Sequence, residues 1–280
     1  MKTEDFREIL YQKDDKGIVT ITLNIPKRKN ALSRYTFYEL FWAVDALEKD
    51  ETVHAMIITG AKDPDIPNPA KEAFSSGGYF HPSGMDGVGD EIKAQIDTKD
   101  IAQAKLTLKM WNCEKPIIAA VNGLAIGAGF TILLSCCDLV YCSEHAWASL
   151  PFISLSIIPE LASTYLLPRL IGFHRANEVM YFGERIPAQK LYELGLANKV
   201  LPHDQLIPYA REVGIKLIPP RAASYAQRLA KRALHQPLVE AITAALAKEN
   251  EGLNKVSGSE DFVEALTAGR EKRHPSFKGR

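Results

Sequence analysis

No excess of either charge marks this chain. Its 34 Lys and Arg balance 34 Asp and Glu over 280 residues. A polyanion binder carries a basic excess, so nucleic acid is not an expected partner, although a local basic pocket is still allowed. No run of about eighteen apolar residues occurs, so no membrane-spanning helix is expected. Cysteine is scarce. Cys113, Cys136, Cys137 and Cys142 lack the paired C-x-x-C spacing of a zinc site. They are expected as buried free thiols in a reducing compartment, and no metal is expected. The polar N-terminus, Met1 to Gly17, has neither the apolar stretch of a signal peptide nor the bias of a transit peptide. The C-terminus, Phe277 to Arg280, is not the S-K-L peroxisomal ending. A soluble intracellular protein is expected, with peroxisome and cytoplasm both open.

What is present is an ordinary globular composition, 46% hydrophobic and 24% charged, in a length that suits one large domain and an appendage. Alternating β-branched residues predict a strand over Gly17–Asn24. Ser33 is the expected N-cap of a helix reaching about Glu48, with Leu40, Ala43, Val44 and Leu47 as its apolar stripe. Strands follow at Val53–Thr59 and Ala73–Ser76. The stretch Tyr79–Lys99 reads as an irregular loop, of a length that tends to be functional or mobile. A helix at Ile101–Cys113 leads to a buried strand at Ile117–Val121, a turn at Asn122–Gly123 and an apolar helix opened by Gly127 and Gly129. Leu139–Cys142 is a short strand, Trp147–Ile157 is extended, and Val200–Leu201 should close a small sheet. From Pro219 onward the pattern is mostly helical, with Ser259 as a further N-cap. Strand–strand–helix units followed by helices predict an α/β core over residues 1–202 and a helical region over 203–280.

Three features point to chemistry. Phe74–Gly78 is a strand ending in two glycines. Gly123–Gly129 is a strand-to-helix corner with the pattern G-x-x-x-G-x-G. It is neither the dinucleotide fingerprint nor a P-loop, and no Lys-Ser/Thr pair follows. Each corner can expose backbone N–H donors, and two converging donors stabilise negative charge developing on a carbonyl oxygen. A tight corner packed with glycines is the simpler reading of either one alone. The third feature is Glu160, between Pro159 and a helix in an apolar context. Desolvation would raise its pKa and suit it to proton transfer. A first-turn glutamate complementing a helix dipole is the competing reading.

Several loose motifs, in order, cover nearly the whole chain: Ile25–Ser33 with its N-A-L-S, Ile57–Gly60, Phe74–Gly77, Pro116–Gly129, Ile158–Pro159, and the tail Glu271–Arg280. Together they resemble the crotonase (enoyl-CoA hydratase/isomerase) superfamily. That resemblance implies a spiral of ββα turns, a helical C-terminal region that serves trimerisation, and a homotrimer or hexamer. It implies an acyl-CoA thioester as substrate and no separate cofactor, since coenzyme A belongs to the substrate. Its oxyanion-hole donors map to the N–H groups of Gly78 and Ala128. Lys27 and Lys29, Ser76 and Gly77, His81, and the tail pair Phe277 and Lys278 map to substrate and CoA contacts.

Hydratases of this family carry two glutamates. In this sequence the corresponding positions hold Thr131 and Phe152. Glu160 stands where hydratases usually have glycine, and the stretch Pro151–Tyr165 is similar to peroxisomal-type Δ3,Δ2-enoyl-CoA isomerases. The resemblance therefore implies a 1,3-proton shift with Glu160 as the single acid/base. The alternatives are another acyl-CoA reaction on the same fold, such as hydration, lyase chemistry or thioester hydrolysis, and an inactive acyl-CoA-binding relative. Departures from the pattern are Gly78–Tyr79 in place of Ala-Asp and a glycine helix one residue longer, for which a bulge is expected.

Overall fold

The computed structural model describes residues 1–79 and 81–280. Its strands are β1 (Ile9–Lys13), β2 (Ile18–Leu23), β3 (Ala55–Gly60), β4 (Ala73–Ser75), β5 (Ile117–Val121), β6 (Leu124–Ile126), β7 (Leu139–Ser143), β8 (Trp147–Ser149), β9 (Ile186–Pro187) and β10 (Lys199–Leu201). Its helices are α1 (Arg34–Lys49), α2 (Asp90–Lys93), α3 (Ala104–Asn112), α4 (Ala128–Ser135), α5 (Ser163–Ile171), α6 (Phe173–Phe182), α7 (Ala188–Glu193), α8 (Leu206–Lys216), α9 (Ser224–His235), α10 (Val239–Val256) and α11 (Glu260–Glu271).

One sheet runs β1-β2-β3-β5-β7-β10 and the other β4-β6-β8-β9. β1 and β2 both lie in the larger sheet; from β3 to β8 each strand–strand–helix unit gives its first strand to the larger sheet and its second to the smaller. β3, β5 and β7 are neighbours in one; β4, β6 and β8 are neighbours in the other. Pairing between units is parallel in both sheets. The chain thus advances by one strand in each sheet per unit, and a helix follows each step.

The central strands of the larger sheet are covered on both faces, which explains runs such as Ile117–Val121, apolar throughout rather than alternating. Ile18, Ala55, Ile57, Ile118 and Ala120 face α8 through Leu206, Ala210 and Val213. Their sequence neighbours Val19, Met56, Ile58, Ile117 and Ala119 face the main core with α1, α3, α4 and α10. α1 begins at Ser33, whose side chain accepts the Thr36 N–H while the Thr36 hydroxyl accepts the Ser33 N–H.

Five expectations change. β1 was unforeseen: only Ile9 of its five residues is buried, so its pattern looks polar. β6 falls inside the expected strand-to-helix corner, because three residues between Gly123 and Gly127 are too few for a periodic signal. Trp147–Ile157 is a strand only to Ser149, then a 3-10 turn at Ile153–Leu155. Val200 and Leu201 pair with β7 at the edge of the larger sheet, not in a small one. α4 carries no bulge: Cys136 N–H closes it regularly on Ile132 O at 2.9 Å. The stretch Tyr79–Lys99 holds a 3-10 turn at Pro82–Met85 and the short α2. Phe80, within it, lies outside the described residues.

Candidate functional site

The two glycine corners meet. β4 delivers Gly77 with φ 93°, in the left-handed half of backbone space that glycine tolerates. A Cβ there would lie 2.6 Å from Ile126 O and 3.6 Å from Ala128 N, so the corner approaches β6 and the start of α4 without a side chain between. Leu32 bridges to Gly78 in parallel fashion. Leu32 N–H donates to Gly77 O and Tyr79 N–H donates to Leu32 O, both at 2.8 Å. That pairing turns the Gly78 N–H to the opposite side. At the other corner Gly127 is the N-cap of α4, with φ 50° and ψ −121°. The first helical bonds run from Phe130 and Thr131 N–H to Gly127 O at 2.8 and 2.9 Å. Among the described residues, neither Gly78 N–H nor Ala128 N–H donates to a protein acceptor. Ala128 N–H also lies at the positive end of the α4 dipole.

Glu160 and Gly78 line one cavity of about 540 Å³, together with His81, Phe152, Ile158 and Phe262. Ala128 does not line it, and its connection is the contact with Gly77. Glu160 is the only carboxylate in that wall among the described residues. It is 9% exposed, and among the described residues no donor reaches its carboxylate. Burial, reinforced by the charge of Glu249, pushes its pKa up to about 8. Two residues, Leu161 and Ala162, separate Glu160 from α5, and among the described residues its carboxylate accepts no N–H of the helix terminus. Glu249, from α10, serves that terminus: it accepts Ala162 N–H at 2.7 Å, Thr164 N–H at 3.0 Å and the Thr164 hydroxyl at 2.6 Å.

The positions where hydratases would carry glutamates hold no carboxylate. Thr131 is fully buried in α4, its hydroxyl donating to Ala128 O at 3.3 Å. Phe152 lies in the cavity wall, with its ring 3.7 Å from where a Gly127 Cβ would be.

The basic loop is bolted to the Gly77 corner. Ser76 N–H donates to Lys29 O at 2.9 Å, and the Ser76 hydroxyl donates to Arg28 O at 3.2 Å. Lys27 is already engaged, with Asp63 at 2.9 Å and with Asp65. Arg28 pairs with Glu8 at 2.7 Å and lies over the Tyr79 ring. Lys29 is exposed, and among the described residues it forms no ion pair. His81 is exposed at the cavity, its Nδ1 2.8 Å from Ser83 Oγ. Phe277 and Lys278 do not join these residues. Lys278 N–H donates to Asp261 Oδ1 at 2.6 Å and its ammonium lies 3.4 Å from Glu260, at the start of α11.

The four cysteines are free. Burial pushes the thiols of Cys136 and Cys142 up to about 12, which makes them poor nucleophiles. Among the described residues no group of three His, Cys, Asp or Glu side chains could hold a metal ion, and no helix is long and apolar enough to cross a membrane.

Sequence reasoning missed Glu249 and the part of the wall built from Leu253, Phe262 and Leu266. All four lie about a hundred residues downstream of Glu160, on helices that carry no motif.

The profile of the enoyl-CoA hydratase/isomerase family matches residues 13–280. The chain is 31% identical over 282 residues to a short-chain-enoyl-CoA hydratase of Clostridium acetobutylicum, covering 99% of this chain and 100% of the relative. It is 32% identical to a 2,3-dehydroadipyl-CoA hydratase of Escherichia coli, over 94% of this chain and 96% of the relative. A crystal structure of an enoyl-CoA hydratase/isomerase from Pseudoalteromonas atlantica superposes with a TM-score of 0.83 at 26% identity, over 97% of this chain and 100% of the other.

Proposed function

This chain belongs to the enoyl-CoA hydratase/isomerase family, and from that premise we propose that it moves the double bond of a 3-enoyl-CoA to the 2-position. The observation that carries this reading is the lone carboxylate: among the described residues Glu160 faces the cavity without a second Asp or Glu. Hydration needs groups to activate water and to deliver a proton. A 1,3-shift needs one base that reaches two carbons.

In this mechanism the Glu160 carboxylate takes a proton from C2. The electrons of that C–H bond pass into a dienolate whose oxygen is held by the N–H groups of Gly78 and Ala128. The Glu160 carboxyl then returns the proton to C4, and the C3–C4 double bond becomes C2–C3. No net proton, electron or water is exchanged. The acyl chain would run past Phe37 and Gln103, which also line an adjoining cavity of about 250 Å³ walled by Tyr38, Phe41 and Trp42. His81, which lines the cavity with Glu160, would face the acyl group. Lys29, Ser76 and Gly77 would face the CoA portion. Lys27 would do so after exchanging its aspartates. Phe277 and Lys278 would reach CoA across a subunit boundary in a homotrimer or hexamer. Exposed Phe173, Phe182 and Leu234, each about 70% accessible, support self-association. The helical region over 203–280 would supply part of that interface.

Hydration is the second reading, favoured by the names of the relatives. Offering 3-hexenoyl-CoA and crotonyl-CoA side by side separates the two. The isomerase reading expects fast conversion of the first and little hydration of the second. The opposite ratio selects the hydratase reading.

A further inference from the structure

Glu249 is 1% exposed, and both of its carboxylate oxygens are engaged by residues that directly follow Glu160. Ala162 lies 87 positions away along the chain, so this is a tertiary contact rather than a local cap. Leu161 and Ala162 are both left-handed, with φ 53° and 58°. For a residue with a Cβ that conformation costs roughly 1–2 kcal/mol, and it persists only where the surroundings over-determine it. Here the surroundings consist of Ala102 O, which accepts Leu161 N–H at 3.2 Å; Glu160 O, which accepts Ser163 N–H at 3.0 Å; and Glu249. Of these three only Glu249 brings a charge. With Glu160 as the acid/base, we propose that Glu249 is its positioning residue: by accepting from Ala162 and Thr164, its carboxylate fixes the left-handed turn that aims Glu160 into the cavity.

A second effect follows from the same placement. Burial raises the Glu249 carboxyl as well, but three donors favour its ionised form and Glu160 has none among the described residues, so Glu249 ionises first. Its negative charge then makes Glu160 a stronger base. The other titratable or charged side chains lining the cavity with Glu160 include His81, at the start of the 3-10 turn Pro82–Met85, and Arg34, at the start of α1. Asp100 lies beyond Asn250, whose amide it accepts at 2.9 Å.

Two variants test the proposal, Glu249→Gln and Thr164→Val, the second removing only one donor. The Glu160 carboxyl is followed by carbon NMR on glutamate-labelled protein, its signal assigned by loss in Glu160→Gln. This titration needs no turnover, so it reports on Glu249 even if the isomerase reading fails. That reading fails separately if Glu160→Gln keeps full activity. In Glu249→Gln the Glu160 midpoint should fall by about one pH unit. With 3-hexenoyl-CoA, kcat should fall by about 10–100-fold at unchanged KM, and the acid limb of the rate profile should move with the midpoint. In Thr164→Val, kcat should fall less and the midpoint should stay high. An unmoved Glu160 midpoint in folded Glu249→Gln, or a loss confined to KM, overturns the proposal.

Discussion

At the scale of single residues, the base proposed at Glu160 is tuned by what surrounds it. Burial without donors lifts its pKa from a carboxyl's ordinary 4.5 to about 8. A base must be ionised, so kcat/KM should rise with unit slope up to about pH 8 and level off above it, as initial rates across pH would show. Stability runs the other way. The folded protein holds the Glu160 proton more tightly than the unfolded chain, so this group's contribution is complete below about 4.5 and is lost as pH rises through 8. Each pH unit in that window costs about 1.4 kcal/mol. Glu160→Gln removes the loss, so its melting temperature should exceed that of the wild type at pH 9 and approach it at pH 5. Pro159 and an apolar stretch single out Glu160 in the sequence, but only the family resemblance chooses proton transfer there over a helix-dipole role. Glu249 was not legible. Its role depends on a left-handed turn 87 positions away, and nothing in its helix differs from an ordinary surface glutamate.

At the scale of elements, the proposed chemistry depends on two corners made by short strands. β4 and β6 have three residues each, and glycine lets them approach. Gly77→Ala places a Cβ 2.6 Å from Ile126 O at φ 93°. We expect it to destabilise the fold by about 2 kcal/mol or more and to shift the Gly78 donor. Denaturant unfolding would measure the first effect. The second would appear as a fall in kcat under conditions where the variant is still folded. A variant as stable and active as the wild type would show that the corners are not in tight contact. The glycines and the long buried strand were legible because they break or fill a pattern. β1 and β6 were not, since one is mostly exposed and the other too short to show periodicity.

At the scale of the whole molecule, two sheets built in step place the corners side by side, and α10 and α11 close the cavity from the far end of the chain. Leu253, Phe262 and Leu266 belong to that wall, so the C-terminal helices shape the site as well as the surface. Their amphipathic pattern predicted helices, but a pattern cannot say which cavity a helix will cover. The apolar side chains left exposed on α6 and α9 predict assembly. Sedimentation should give a trimer or hexamer, and a monomer at micromolar concentration would contradict that expectation. The central claim is that one carboxylate performs the whole reaction. It is tested most directly by the initial rate of 3-hexenoyl-CoA conversion to 2-hexenoyl-CoA in wild type and in Glu160→Gln, at a pH above 8 where the base is ionised. The account predicts turnover by the wild type and a fall of about 10²–10⁴-fold in the variant, with thioester binding retained. No turnover by the wild type, or equal rates for the two proteins, would contradict it.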